Sequence, residues 1–193
     1  MVDQATNFSI LAEEVRRIQD RFAIIDLVAN YCYAIDDRDL DKLIGLYTPD
    51  GVQGHIDGLR ASRGRDELRA YFTQRFDAYG MTFHYPHNHT ITIDGPDTAS
   101  GIVTGHAEMA LGGEFWIAAI RYHDRYLREP EGWHFKERML GYTYYMKLSD
   151  FPEGFREGAP RKFYGGLMRP AELPESLPTW KAWDESKRRR AQG

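Results

Sequence analysis

The chain of 193 residues predicts an α+β domain: three N-terminal helices packed on a curved antiparallel sheet, with an extended C-terminal arm beyond. Three observations predict it. Apolar residues recur every three or four positions up to about Gly80, then alternate from Met81 to Tyr145, and the pattern dissolves after Leu148. Only turn chemistry separates the alternating runs, so they form a meander rather than crossovers. Helices segregated from such a sheet bury both by lining its concave side, which leaves a cone-shaped pocket between the layers.

The elements follow in order. Ile10 to Ile35 reads as one helix with a stripe of Leu11, Val15, Ile18, Phe22, Ile25, Val28, Ala29, Cys32 and Ile35. It stops at Asp36-Asp37-Arg38-Asp39, where Asp37 or Asp39 can cap a second, short helix carrying Leu40, Leu43, Ile44 and Tyr47. Pro49-Asp50-Gly51 ends that helix, and Val52 to Ile56 is a short strand. A third helix follows Gly64, with Leu68, Tyr71, Phe72 and Phe76 on one face and Gly80 as its stop. The strands are Met81–Ile93, Ala99–Leu111, Glu114–Arg128 and Trp133–Tyr145, joined through Asp94-Gly95-Pro96-Asp97, Gly112-Gly113 and Glu129-Pro130-Glu131-Gly132. Residues 1–148 thus make the domain. The arm, 149–193, is broken by Pro and Gly but keeps Phe151, Phe155, Phe163, Trp180 and Trp183, weight enough to lie on its own or a neighbouring subunit.

Composition narrows the function. A net charge of −4 with interspersed signs gives no pull toward nucleic acid or an anionic membrane, and Lys187-Arg188-Arg189-Arg190 reads as a solvated tail. Cys32 is the single cysteine, which excludes a disulfide framework and favours a reducing compartment. With no secretory leader and no run near about 18 apolar residues, a cytoplasmic location is expected. Twelve Tyr, ten Phe and four Trp suit an aromatic or polycyclic ligand as well as an aromatic core.

The residues able to do chemistry are few. Asp36 follows Ile35 on the register of the apolar stripe, where a carboxylate needs a partner. Thr82 to Thr90 puts His84, His87 and His89 into six residues. Strand alternation places His84 and Asn88 on one face and His87 and His89 on the other, and Pro86 marks an edge strand or a bulge. His87-Asn88-His89 has a metal-strand spacing but lacks the glutamate a cupin would add, and no cysteine pair or His-Glu-x-x-His occurs, so neither a metal nor another cofactor is expected. On the next strand His106 shares a face with Ile102, Thr104 and Glu108; on the third, Trp116, Ala118, Ile120, Tyr122, Asp124 and Tyr126 share one.

Ala34 to Asp41, Tyr47-Thr48-Pro49-Asp50-Gly51, Thr82-x-His84-x-x-x-Asn88, Tyr122 to Tyr126, and Gly132-Trp133-His134-Phe135 with Arg138 resemble, in this order, the SnoaL-like branch of the nuclear-transport-factor-like cone fold, over about residues 15–145. The branch includes scytalone dehydratase, bile-acid 7α-dehydratase and hexachlorocyclohexane dehydrochlorinase, which are cofactor-free lyases, as well as isomerases and non-catalytic members. The resemblance implies His84 as general base and Asp36 as its partner, with His106, Tyr31 or His55 protonating the leaving oxygen. It implies a substrate pocket with His55, Asn88, Tyr122, Trp116, Arg138 and Tyr47. Tyr122 stands where scytalone dehydratase has an asparagine and Ile35 where it has a tyrosine, so scytalone itself is not the expected substrate. The expected reaction eliminates water, halide or formaldehyde from an aromatic small molecule; a proton-shuttling isomerase like ketosteroid isomerase, and a small subunit of a ring-hydroxylating oxygenase, are the alternatives. Relatives of this fold form trimers or dimers, so a homo-oligomer, a trimer by preference, is implied as well.

Overall fold

The computed structural model describes residues 4–192. Helix α1 (Gln4–Asp36) leads into α2 (Leu40–Gly45), β1 (Tyr47–His55), β2 (Ala61–Arg63) and α3 (Gly64–Ala78). The long strands are β3 (Thr82–Ile93), β4 (Thr98–Leu111), β5 (Glu114–Glu129) and β6 (Gly132–Lys147). Beyond a 3₁₀ turn come α4 (Phe151–Gly154), the hairpin β7 (Lys162–Tyr164) and β8 (Leu167–Arg169), and α5 (Pro178–Gln192).

The meander from β3 to β6 is antiparallel with the expected turns, and the helices pack on its concave side. The sheet as a whole is mixed. Its order is β2-β1-β6-β5-β4-β3, and β1 lies parallel to β6 because α2 returns the chain to the start of β6 before the strand begins. The sheet is therefore curved but open, with β3 at its edge.

Two expectations are corrected. In α1 the core-facing residues are Ile24, Leu27, Val28, Tyr31, Cys32, Ala34 and Ile35, whereas Leu11, Val15, Ile18, Phe22 and Ile25 are exposed. At about 1.5 Å per residue the helix is roughly 50 Å long, longer than the sheet it crosses, so its first turns project past the cone. The arm is not free of regular structure either. Gly165 and Gly166 (φ +62° and +82°) make a two-residue hairpin turn between Phe163-Tyr164 and Leu167-Met168, the geometry that two left-handed residues favour. Lys162 is buried and ion-paired with Asp57 at 2.8 Å and with Glu172, whose other oxygen accepts the Tyr142 amide at 2.9 Å. These bonds fasten the arm to β6 of its own chain. The basic run 187–190 lies on α5, where Arg188 pairs with Asp184. Among the described residues no helix is long and apolar enough to cross a membrane.

Candidate active site

The site begins where α1 ends. The Asp39 amide donates to the Ala34 carbonyl at 2.9 Å and the Arg38 amide to Ile35 at 3.2 Å, a closing motif that sets Arg38 in the left-handed region at φ +60°. Glycine is usual there, and an arginine costs about 1 kcal/mol. Its side chain offsets that cost. The guanidinium donates to the carbonyls of Ile35, Tyr79 and Gly80 and to Thr82 Oγ1, and it rests over the Phe76 ring. One residue thereby ties the end of α1 to the turn between α3 and β3. Asp36 is held in the last helical turn, facing the first residues of β3.

The Asp36 carboxylate is saturated with donors. Oδ2 accepts the His84 amide at 2.7 Å; Oδ1 accepts Thr82 Oγ1 at 3.1 Å and His84 Nδ1 at 2.7 Å. A carboxylate only accepts, so Nδ1 carries a ring proton, and in the neutral imidazole Nε2 is the atom with the lone pair. Both side chains are mostly buried, at 16% and 20% exposure, enough to shelter the pair yet leave an approach.

His84 borders a cavity between the helices and the sheet that opens to solvent. Cross-strand pairing explains its floor. His84, Ala107, Ala118 and Tyr145 stand side by side on β3, β4, β5 and β6, so two methyl groups separate a histidine from a tyrosine. Three inter-strand steps of about 4.8 Å put roughly 14 Å between the two backbones, room for one or two rings. Tyr31, Phe72, Phe76, Tyr122 and Tyr142 add aromatic walls. At the far end Arg75 of α3 donates to the hydroxyls of Tyr71 (3.1 and 3.2 Å) and Tyr79 (2.5 Å), and the Tyr79 and Tyr145 hydroxyls meet at 2.9 Å.

The profile of the SnoaL-like domain matches residues 16–139. The chain belongs to this family. A relative, the uncharacterized protein Rv2910c of Mycobacterium tuberculosis, is 31% identical over 132 residues, covering 65% of this chain and 86% of that one. Among solved structures, a hexachlorocyclohexane dehydrochlorinase (LinA, type 2) superposes with a TM-score of 0.65 at 22% identity, over 70% of this chain and 93% of the other. A protein assigned as a scytalone dehydratase from Novosphingobium aromaticivorans gives 0.64 at 20%, covering 68% and 89%. One assigned as an aromatic ring hydroxylase from the same organism gives 0.64 at 27%, covering 69% and 96%.

Within this SnoaL-like cone the residues expected from sequence separate into three groups. Asp36 and His84 meet as a hydrogen-bonded pair, and Tyr31 and Tyr122 line the cavity. Arg138, Tyr47 and Trp116 are buried behind the lining. Arg138, fully buried, lies 3.9 Å from the centre of the Tyr122 ring and 4.1 Å from that of Tyr31, with Asp124 at 3.8 Å. Burial lifts the Asp124 carboxyl to about 6 against the opposing pull of Arg138. Tyr47 bonds to Gln53, and Trp116 packs on Tyr145 and Phe163.

The third group is not brought to the cavity. Ala107 takes the inward place beside His84, so His106 points to the outer face, where it meets His87 at 2.7 Å and the Tyr144 hydroxyl at 2.9 Å. Asn88 is exposed. The register slips between Pro86 and His89, a bulge that reverses alternation: His89 shares the concave face with His84 and bonds to Tyr126 at 3.0 Å. The expected pairing of His84 with Asn88 is corrected accordingly. Among the described residues no three His, Cys, Asp or Glu side chains converge as a metal site would require. Arg75, Tyr79 and Tyr145 were not singled out by sequence; as α3 and β6 residues they carry no local signal of a site.

His55 is buried between Tyr142 and Tyr164, outside the cavity lining, and neither ring nitrogen has a partner. Burial, aided by Lys162, pushes its pKa down from 6.5 to about 4, and burial does the same to His89. The folded chain therefore resists a proton that the unfolded chain takes up near pH 6.5. The stabilisation is complete above that value and is lost as pH falls through about 4, on the order of 2–3 kcal/mol for the fully buried His55 and less for the half-buried His89, where solvent screens the charge. Urea denaturation between pH 7 and 4 is expected to show this fall, and His55→Phe to remove the larger part of it. An unchanged slope in the variant would discount His55.

Proposed function

We propose that the protein is a cofactor-independent lyase acting on an aromatic or polycyclic small molecule. One observation carries the reading: an imidazole with a free Nε2, backed at Nδ1 by a carboxylate, borders a cavity walled by aromatic rings. Nε2 of His84 takes a proton from a carbon, or from an alcohol or phenol, and Asp36 stabilises the imidazolium that forms. In an elimination the C–H bond breaks, a double bond forms, and a hydroxyl or halide departs from the adjacent carbon. In a retro-aldol cleavage the proton comes from the hydroxyl of a hydroxymethyl group, its C–C bond breaks, formaldehyde leaves, and the carbanion left on the substrate takes the proton back from the His84 imidazolium. A departing hydroxyl needs a proton, and Tyr31 is the one expected acid on the cavity wall. Burial raises its pKa, which favours hydrogen-bond donation over full transfer. Likeness in fold to a dehydrochlorinase and to a protein assigned as a scytalone dehydratase is in keeping with such chemistry.

The test is a panel of aryl compounds with a leaving group β to an acidic C–H, followed by proton NMR in D₂O. A new alkene or free aldehyde is the expected result. Deuterium uptake without elimination would move the assignment to a proton-shuttling isomerase. The 27% identity to a protein assigned as an aromatic ring hydroxylase supports a second reading, a non-catalytic oxygenase subunit. Inertness across the panel together with co-purification of a large iron–sulfur partner would establish that one instead.

A further inference from the structure

We infer that the end of the cavity remote from His84 is an anion seat, in which Arg75 holds a carboxylate of the substrate. The inference refines the proposed function by naming a substrate class, the aryl carboxylates, and its binding test does not depend on turnover.

Charge accounting leads to it. Two guanidiniums, Arg38 and Arg75, line the cavity and no carboxylate does. Arg38 spends its donors on Thr82 and on three backbone carbonyls. Arg75 differs. Among the described residues no Asp or Glu oxygen lies within 4 Å of it, and all three of its hydrogen bonds end on phenols. Neutral hydroxyls and the faces of Tyr71 and Tyr79, with ring centres at 5.2 and 5.5 Å, solvate a cation without cancelling its charge. A partly buried, uncancelled guanidinium is a standing attraction for an anion.

The phenols make the seat directional. A hydroxyl that accepts from Arg75 keeps its own hydrogen to give. Tyr71 accepts twice and still holds a proton; of the Tyr79–Tyr145 pair one proton is spent between them and the other is free. Burial raises the pKa of Tyr145 and Tyr142, so these groups remain protonated donors at neutral pH. A guanidinium flanked by polarised O–H groups matches the two oxygens of a carboxylate. The alanine floor then sets the length of the ligand: with the carboxylate at Arg75, one or two rings reach across Ala118 and Ala107 to His84. Arg75 is thus a specificity-determining binding residue, and the acidic proton lies at the other end of the substrate. An uncharged substrate such as the hexachlorocyclohexane named for a structural neighbour would leave it unused.

The test compares 2-naphthoate with its neutral counterpart 2-naphthamide by isothermal titration at pH 7.5 in the full chain. Wild type is expected to bind the carboxylate at least tenfold more tightly. Arg75→Met is expected to erase that preference, while His84→Gln keeps it, because the charge comes from Arg75. Equal binding of the two probes by wild type, or an undiminished preference in a folded Arg75→Met, overturns the inference. A crystal soaked with 2-naphthoate decides independently of any variant: a carboxylate at about 3 Å from the Arg75 guanidinium supports the seat, and one placed elsewhere refutes it. Should the carboxylate seat itself at Arg75 while the elimination panel stays negative, the anion site stands and the lyase reading falls.

Discussion

Replacing His84 by glutamine is expected to lower elimination by about 10²–10⁴-fold, the contribution of one positioned base, with little change in affinity for substrate. Asp36→Asn is expected to cost nearly as much, through the tautomer. An asparagine can turn its amide toward Nδ1, and the imidazole answers by accepting there and carrying its proton on Nε2, the atom that must accept. The two defects should not add, since both remove the same lone pair. Steady-state rates of the two single variants and the double variant, with thermal melts as a control on folding, check this. Turnover within tenfold of wild type in folded His84→Gln would end the dyad assignment.

The largest loss of stability is expected from Arg138→Met, at about 3–5 kcal/mol in urea denaturation. The methionine fills much of the space between Tyr31 and Tyr122 but strands Asp124, fully buried, without its cation. Against a typical total of roughly 5–15 kcal/mol, that removes a large part of the reserve. The double variant Arg138→Met with Asp124→Asn should recover part of it, because no charge is then left inside. A loss below about 1 kcal/mol would mean that the pair is better hydrated than its burial indicates.

What the sequence discloses about this molecule is uneven, for physical reasons. Asp36 stands out as a carboxylate in register with an apolar stripe, whereas His84 is one of three clustered histidines and is singled out only by the resemblance to the SnoaL-like branch. The bulge at residues 86–89 is hinted at by Pro86, yet a one-residue slip reverses every face beyond it, so Asn88 and His89 exchange sides. His106 lies on the outer face because the inward face of β4 is set by pairing with β3, which alternation alone leaves open. Arg75 and Tyr145 are silent because an arginine on a helix and a tyrosine on a strand are ordinary residues; only the docking of α3 over the end of β6 brings them together. Gly165-Gly166 is hairpin-turn chemistry, but among the arm's many prolines and glycines it reads only as a break in regular structure. The exposed stripe of α1 repeats with helical spacing regardless of whether anything covers it, so periodicity finds the helix and not its contact.

The alanine floor has a consequence for how such a site can change. The proposed acid–base pair and the proposed anion seat stand at opposite ends, on elements braced by the Arg38 clamp and by the phenol cluster, and the floor between them is Ala107 and Ala118. Either position can grow by single methylenes without disturbing a charge or a hydrogen bond. The gap is therefore a gauge: its setting rests with two side chains that take no part in the chemistry, and a narrower or wider range of substrates lies a few neutral substitutions away.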